Sequence, residues 1–92
     1  METPKLRYRR RSEVFEAQRW FRPGDCRHVE PYRTTADYRC PKCSCHIEEH
    51  GQLPIGNKRQ LVCPGDFIVP STCGDLYPVD PETFWQLYEL VE

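Results

Sequence analysis

Apolar positions in this chain come in short runs, and their period changes once. From Glu13 to Phe21 the sequence Glu-Val-Phe-Glu-Ala-Gln-Arg-Trp-Phe partly alternates. Phe15, Ala17 and Phe21 fall on one face and Glu16 and Gln18 on the other, the period of two of a half-buried strand. Arg22-Pro23-Gly24-Asp25 reads as a turn. Further on, Gln60-Leu61-Val62 and Phe67-Ile68-Val69 read as two short strands joined in a hairpin through Pro64-Gly65-Asp66. Gly74-Asp75 marks another turn, followed by Leu76-Tyr77. Near the C-terminus the period lengthens: Phe84, Leu87, Tyr88 and Val91 recur at i, i+3, i+4 and i+7, one face of a helix. Asp80 suits its N-cap, Pro81 its first position and Glu82 its dipole. Nine prolines leave no room for a long helix. The expected fold is α+β and mainly β: a small antiparallel sheet with one short C-terminal helix.

Between these segments residues 26–39 are polar, Arg-rich and without period, so they read as a long loop. Such loops are uncommon in compact domains and are usually functional or mobile. Ninety-two residues allow one domain. It divides into a basic N-terminal strand region (5–21), an irregular loop (22–51), and a β-hairpin with the C-terminal helix (52–92). A chain of this size buries only roughly 60–65% of its unfolded surface. Small domains near that limit often add a disulfide, a metal or a partner chain.

Six cysteines make the first two options live. Met1 to Ser12 is mostly basic and polar, with no apolar signal-peptide core, and no apolar run is long enough to span a bilayer. The expected location is therefore a reducing cytoplasm with no membrane association, where disulfides rarely persist. Cys40, Cys43 and Cys45 crowd into six residues, as metal ligands do and disulfide frameworks usually do not.

Cys40-Pro41-Lys42-Cys43 is a Cys-x-x-Cys pair, whose tight turn can aim two thiolates at one ion. His46 and His50 lie close by, and tetrahedral zinc commonly takes sulfur together with imidazole nitrogen. A thioredoxin-type redox pair is the competing reading, but that motif opens a helix after a buried strand, and neither is expected here. Two ligand sets are open. Cys40, Cys43, His46 and His50 would be purely local. Cys40, Cys43, His50 and Cys63 would tie the loop to the strand before Pro64, crosslinking distant parts of a thin core. The second is preferred, because Cys43 and His46 leave a cramped link within one tetrahedron. Cys45 could exchange into the site but is expected to point away. Cys26 and Cys73 have no obvious partner and read as small core or surface residues. The fold expectation thus includes a loop stapled by structural Zn2+.

Charge adds a polarity along the chain. Residues 1–42 carry eleven Lys/Arg against six Asp/Glu, and residues 43–92 carry two against eight. The densest basic stretch holds Lys5, Arg7, Arg9, Arg10 and Arg11. With Tyr8 it forms a candidate surface for nucleic acid or an acidic protein. The plainer reading is a charged edge strand that resists edge-to-edge pairing.

The ends of the chain carry a resemblance. Tyr8-Arg9-Arg10-Arg11, Glu16-Ala17-Gln18 and Trp20 resemble the opening of a family of small phage and prophage proteins. The similarity continues in Cys63-Pro64-Gly65-Asp66-Phe67-Ile68, Gly74-Asp75-Leu76-Tyr77-Pro78, Pro81-Glu82-Thr83-Phe84 and Tyr88-Glu89. The family usually has Trp where Phe67 stands and Glu where Asp75 stands. Residues 21–39 have no counterpart in it. Some members carry a Cys-x-x-Cys, a His-Gly and a cysteine before Pro-Gly-Asp. The resemblance therefore also implies Cys40, Cys43, His50 and Cys63 as ligands. It carries no activity, but implies a phage or prophage protein in a bacterial cytoplasm, where small proteins often bind a host or phage macromolecule.

Catalytic patterns fit poorly. His28-Val29-Glu30 with Cys40-Pro41-Lys42-Cys43 superficially matches a zinc-deaminase signature. However, its proline sits inside the Cys pair, Pro31 follows the glutamate, and only nine residues separate the halves. His46-Ile47-Glu48-Glu49-His50 lacks the glutamate next to the first histidine that a metalloprotease helix requires. Asp66 and Asp75 lie in glycine turns, where aspartate bonds its own backbone. The expected function is that of a non-enzymatic accessory protein binding a host or phage protein. The alternatives are a nucleic-acid-binding module, with Tyr8, Tyr32 and Tyr38 stacking on bases, and an inhibitor of a host nucleic-acid-processing or defence enzyme.

Overall fold

Alternation along the strands sends apolar side chains into two separate cores, and the architecture follows from that division. The structure, a computed structural model, describes residues 2–10, 13–71 and 74–91. Its strands are β1 (Leu6–Arg10), β2 (Glu13–Arg19), β3 (Glu30–Pro31), β4 (Gly51–Ile55), β5 (Lys58–Val62), β6 (Phe67–Pro70), β7 (Leu76–Val79) and β8 (Glu89–Leu90). A 3-10 turn, Ile47–Glu49, precedes β4, and helix α1, Pro81–Leu87, precedes β8. Five strands form one sheet in the order β7-β6-β2-β1-β8, and three form a second in the order β3-β4-β5. Every pairing is antiparallel. The mainly-β α+β architecture expected from the periodicity is thus present, with two sheets where one was expected.

The second sheet comes from residues 30–62, and the first from the flanking segments 6–19 and 67–90. Strand β6 serves both. Phe67 and Val69 join Tyr8, Ala17, Val79 and Phe84 in the first core, while Ile68 faces Trp20, Cys26, Val29, Leu53 and Val62 in the second. The first core is aromatic. The Phe67 and Phe84 rings stack 3.8 Å apart and 5° from parallel, and Tyr8 meets Phe84 edge-on at 4.8 Å. Arg19 caps this stack, its guanidinium 4.9 Å from the Phe67 ring and 4.9 Å from that of Phe21.

The second core corrects the face assignment of β2. Ala17 is buried and Phe15 half-buried, as expected, but Phe21 is 47% exposed, because the strand ends at Arg19. Trp20, wholly buried, takes the interior place instead. Gln18 is also buried, and its Nε2 donates to the Thr3 carbonyl at 2.8 Å, with the Asp25 carbonyl at 3.5 Å.

No hairpin joins residues 60–62 to 67–69. Strand β5 pairs with β4 across the two-residue turn Gly56-Asn57, where Gly56 has φ +59°. Strand β6 pairs with β2 and β7. Cys63-Pro64-Gly65-Asp66 is the passage from one sheet to the other. It is fastened to the end of β2 by Trp20 N–H to Asp66 O (2.8 Å) and Gly65 N–H to Trp20 O (2.7 Å).

Helix α1 begins where expected. Asp80 caps it, accepting from the Thr83 amide at 3.1 Å, and that bond holds the Asp80 carboxyl below its ordinary range. Asp80→Ala should lower stability by about 1 kcal/mol. The readout is a lower urea midpoint at unchanged slope, and an unmoved midpoint would show that the cap contributes nothing. The helix ends before the expected apolar face is complete. Tyr88 is extended (φ −131°), Leu87 is exposed, and Glu89–Leu90 pair with β1. A helix this short is marginal alone, and pairing along β1 offers hydrogen bonds that another turn would not. That pairing also means β1 is not an edge strand, as its charge had suggested.

Candidate metal centre

The polar loop is organised around the cysteine pair. Residues 40–45 form a tight turn closed by Ser44 N–H to Cys40 O and Cys40 N–H to Cys45 O, both 2.8 Å. Ser44 takes the left-handed conformation (φ 65°) to complete it. A bridge between Arg39 and His46 closes the loop base. The chain then runs through the 3-10 turn, which delivers His50 to the start of β4, while Cys63 follows the last residue of β5.

These segments bring Cys40, Cys43, His50 and Cys63 together, with their ligating atoms all within 4.8 Å of one another. Cys40 Sγ is 3.9 Å from Cys63 Sγ, and Cys43 Sγ is 3.3 Å from His50 Nε2. Cys40, His50 and Cys63 are buried and Cys43 is half-buried. The other ring nitrogen of His50, Nδ1, lies 3.1 Å from the His46 carbonyl oxygen. Donation to that carbonyl leaves Nε2 as the lone-pair nitrogen facing the sulfurs, the usual arrangement behind a metal-bound imidazole. Asp66 fixes Cys63 from behind, its Oδ2 accepting from the Cys63 amide at 2.9 Å.

Electrostatics suit a cation. Burial pushes the Cys63 thiol well above its ordinary range, with the Asp66 charge adding to it, and burial raises Cys43 as well. At Cys40 burial acts the same way, but hydrogen bonds from the Lys42 and Cys43 amides, His50 and Cys63 outweigh it and bring the thiol down to about 7. A divalent ion would displace the remaining protons, so affinity for it should fall as pH falls. The donor set of three sulfurs and one imidazole, converging with no carboxylate among them, fits a tetrahedral ion.

His46 is not part of this cluster. It contributes only its carbonyl to His50, and its ring turns outward, with Nε2 2.7 Å from Asp37 Oδ1 and Nδ1 accepting from the Glu48 amide. Cys45 also lies outside, and Cys26 is a buried member of the second core. Cys73 is outside the described residues. His28 and Glu30 are exposed and join no metal-binding group among the described residues, and Glu30 instead pairs with Arg59. Asp66 bonds the backbone of its own turn, as expected of an aspartate there, through the amide of its third neighbour. The part of His46 had no signal in the sequence, because it acts through its backbone.

The basic segment is arranged differently from the surface expected. Tyr8 is only 4% exposed, buried beneath α1, so it is not available for stacking. Arg7 and Arg9 project from the opposite face, since neighbours along a strand alternate. Arg9 forms an ion pair with Glu89. Arg7 stands opposite Glu16 and Arg10 opposite Glu13 in the β1–β2 register. Arg11 lies outside the described residues. Among the described residues no helix is long and apolar enough to cross a membrane. No protein-family model, curated protein or solved structure matches the chain.

Proposed function

We propose that this chain is a phage-type accessory protein that carries structural zinc and acts in a bacterial cytoplasm by binding a host or phage protein, without catalysis of its own. The observation that carries the zinc assignment is the convergence of the four ligand atoms. Zn–S bonds of about 2.3 Å and Zn–N bonds of about 2.05 Å at tetrahedral angles put sulfurs about 3.8 Å apart and sulfur and nitrogen about 3.5 Å apart. The separations of 3.9 and 3.3 Å lie close to both. Three thiolates select a soft or borderline ion over Mg2+ or Ca2+. With four protein ligands no position is left for a reacting water, which supports a structural role over a catalytic one.

A protein partner is favoured over nucleic acid by the glutamates that stand against Arg7, Arg9 and Arg10 and by the burial of Tyr8. Native mass spectrometry of protein purified from bacteria, with and without chelator, tests the first part. One zinc per chain is expected, and an iron-loaded or metal-free chain that stays folded would overturn it. Mobility-shift titration with DNA and RNA tests the second. No binding is expected at low salt, whereas binding that weakens steeply as salt rises would favour the nucleic-acid reading.

A further inference from the structure

The outer edge of the first sheet is incompletely covered. Arg9 and Glu89 are opposed there, and the Val91 N–H donates to the Arg7 carbonyl at 2.9 Å. In an antiparallel ladder, residues bonded across the pair alternate with residues whose backbone groups turn away. Leu90 lies between two bonded positions, so its N–H and C=O point outward from β1. Large apolar side chains gather at the same edge: Leu6 is 43%, Trp85 50% and Leu90 46% exposed. Leu90 stands opposite Tyr8, and Leu6 is two residues before it, so both share its face of the sheet. The Trp85 ring stands 5.9 Å from that of Tyr8. The other face of the edge carries the Arg9–Glu89 ion pair, whose charges cancel.

We propose that this edge joins two copies of the chain, β8 running antiparallel to its copy across a two-fold axis at Leu90. A two-fold puts Leu90 opposite itself. Its outward N–H and C=O then form a reciprocal hydrogen-bonded pair with the same groups of the copy, the self-complementarity that an isologous contact demands. Leu90 of each chain meets its counterpart on one face, with Leu6 on β1 and Trp85 on α1 set back behind it. On the other face, a pair neutral in itself meets its copy without the like-charge repulsion that usually protects a sheet edge. Strand β8 has only two residues, so the contact is small and the association is expected to be weak and concentration-dependent.

Sedimentation equilibrium of the zinc-loaded full chain, from about 5 to 500 μM, reads the association directly. A monomer–dimer equilibrium is expected. Leu90→Arg should weaken it at least about tenfold. Val14→Thr, which makes an exposed apolar residue on the opposite sheet face polar without placing a charge opposite Arg9, should leave it unchanged. Amide hydrogen exchange of the wild-type chain supplies a readout that needs no variant, since the Leu90 N–H should exchange more slowly as concentration rises. A chain monomeric throughout the range overturns the proposal, even if another protein's strand binds at β8. So does a dimer weakened equally by both substitutions, or a Leu90 amide indifferent to concentration.

Discussion

Stripping the metal from the folded protein is expected to abolish its cooperative thermal transition. Structural zinc contributes apparent binding free energies of about 10–16 kcal/mol in small domains, against a total stability of about 5–15 kcal/mol for an ordinary domain. With zinc bound as proposed, the second sheet would depend on it most. Its strand β3 has two residues, and the irregular segment 32–46 is tied down mainly at the cluster. Cys40→Ser and Cys63→Ser should therefore be about equally damaging, because each removes one corner of the same tetrahedron. His46→Ala should cost less than about 1 kcal/mol, comparable to an ordinary cap. Its carbonyl remains to hold His50, and only the ring contacts with Asp37 and the Glu48 amide are lost. Calorimetry with and without chelator, run on wild type and the three variants, checks the set. A melting curve indifferent to chelator, or a harmless Cys63→Ser beside a costly His46→Ala, would sink this ligand assignment.

The second large effect is expected at Gly51, which follows the ligand His50. A Cβ at that position would stand 2.5 Å from Val29 Cγ1, 2.8 Å from Trp20 Cζ2 and 3.1 Å from the Glu30 carbonyl oxygen. Val29 and Trp20 are both buried, and the Trp20 indole N–H has no hydrogen-bond partner among the described residues, so packing alone positions the ring. A methyl group there must push apart a side chain, an aromatic ring and a backbone strand together. Overpacking typically costs 1–3 kcal/mol, and here about 3 kcal/mol is expected. At roughly 4–8 °C per kcal/mol for a chain of this length, Gly51→Ala should lower the melting temperature by about 12–24 °C. It should also weaken metal retention, since His50 moves with the displaced strand. Gly56→Ala is the control: open space surrounds it, and only its positive φ opposes the side chain. If the two substitutions cost the same, the close contacts at Gly51 are not what matters there.

Local chemistry was legible in the sequence, and long-range pairing was not. The start of α1 could be read from Asp80-Pro81-Glu82 because a cap needs only its next few residues. Its end could not, because Glu89 and Leu90 are drawn into a strand by a segment 80 positions away. The four residues preferred as ligands are brought together. Cys40, Cys43 and His50 were conspicuous by type and spacing, whereas Cys63 was preferred over His46 because Cys43 and His46 left a cramped link and Cys63 would crosslink distant segments. Tyr8 failed as a surface residue for the opposite reason. Among five basic neighbours it reads as solvent-facing, yet the pleat turns it inward beneath Phe84. Gln18 was misassigned, and Trp20 left unplaced, because a period of two cannot show that further chain covers the far face of β2. Phe67-Ile68-Val69, an unbroken apolar run, carried that information. A strand buried on both sides has no polar face to alternate with.

The division of the chain between the two sheets bears on the order in which it is assembled. The second sheet and the four clustered side chains all lie within residues 30–63, so their contacts close short loops. The first sheet joins the earliest strand to the last and cannot be completed until residues near 90 have left the ribosome. Loop closure favours the short connections. During synthesis, then, the inserted segment could capture the proposed ion while β1 and β2, able to pair with each other, still wait for β8 and β6. The last event is the arrival of α1 and β8 over an aromatic core half built by the first strands, and until then that core is exposed to whatever else the cell offers it.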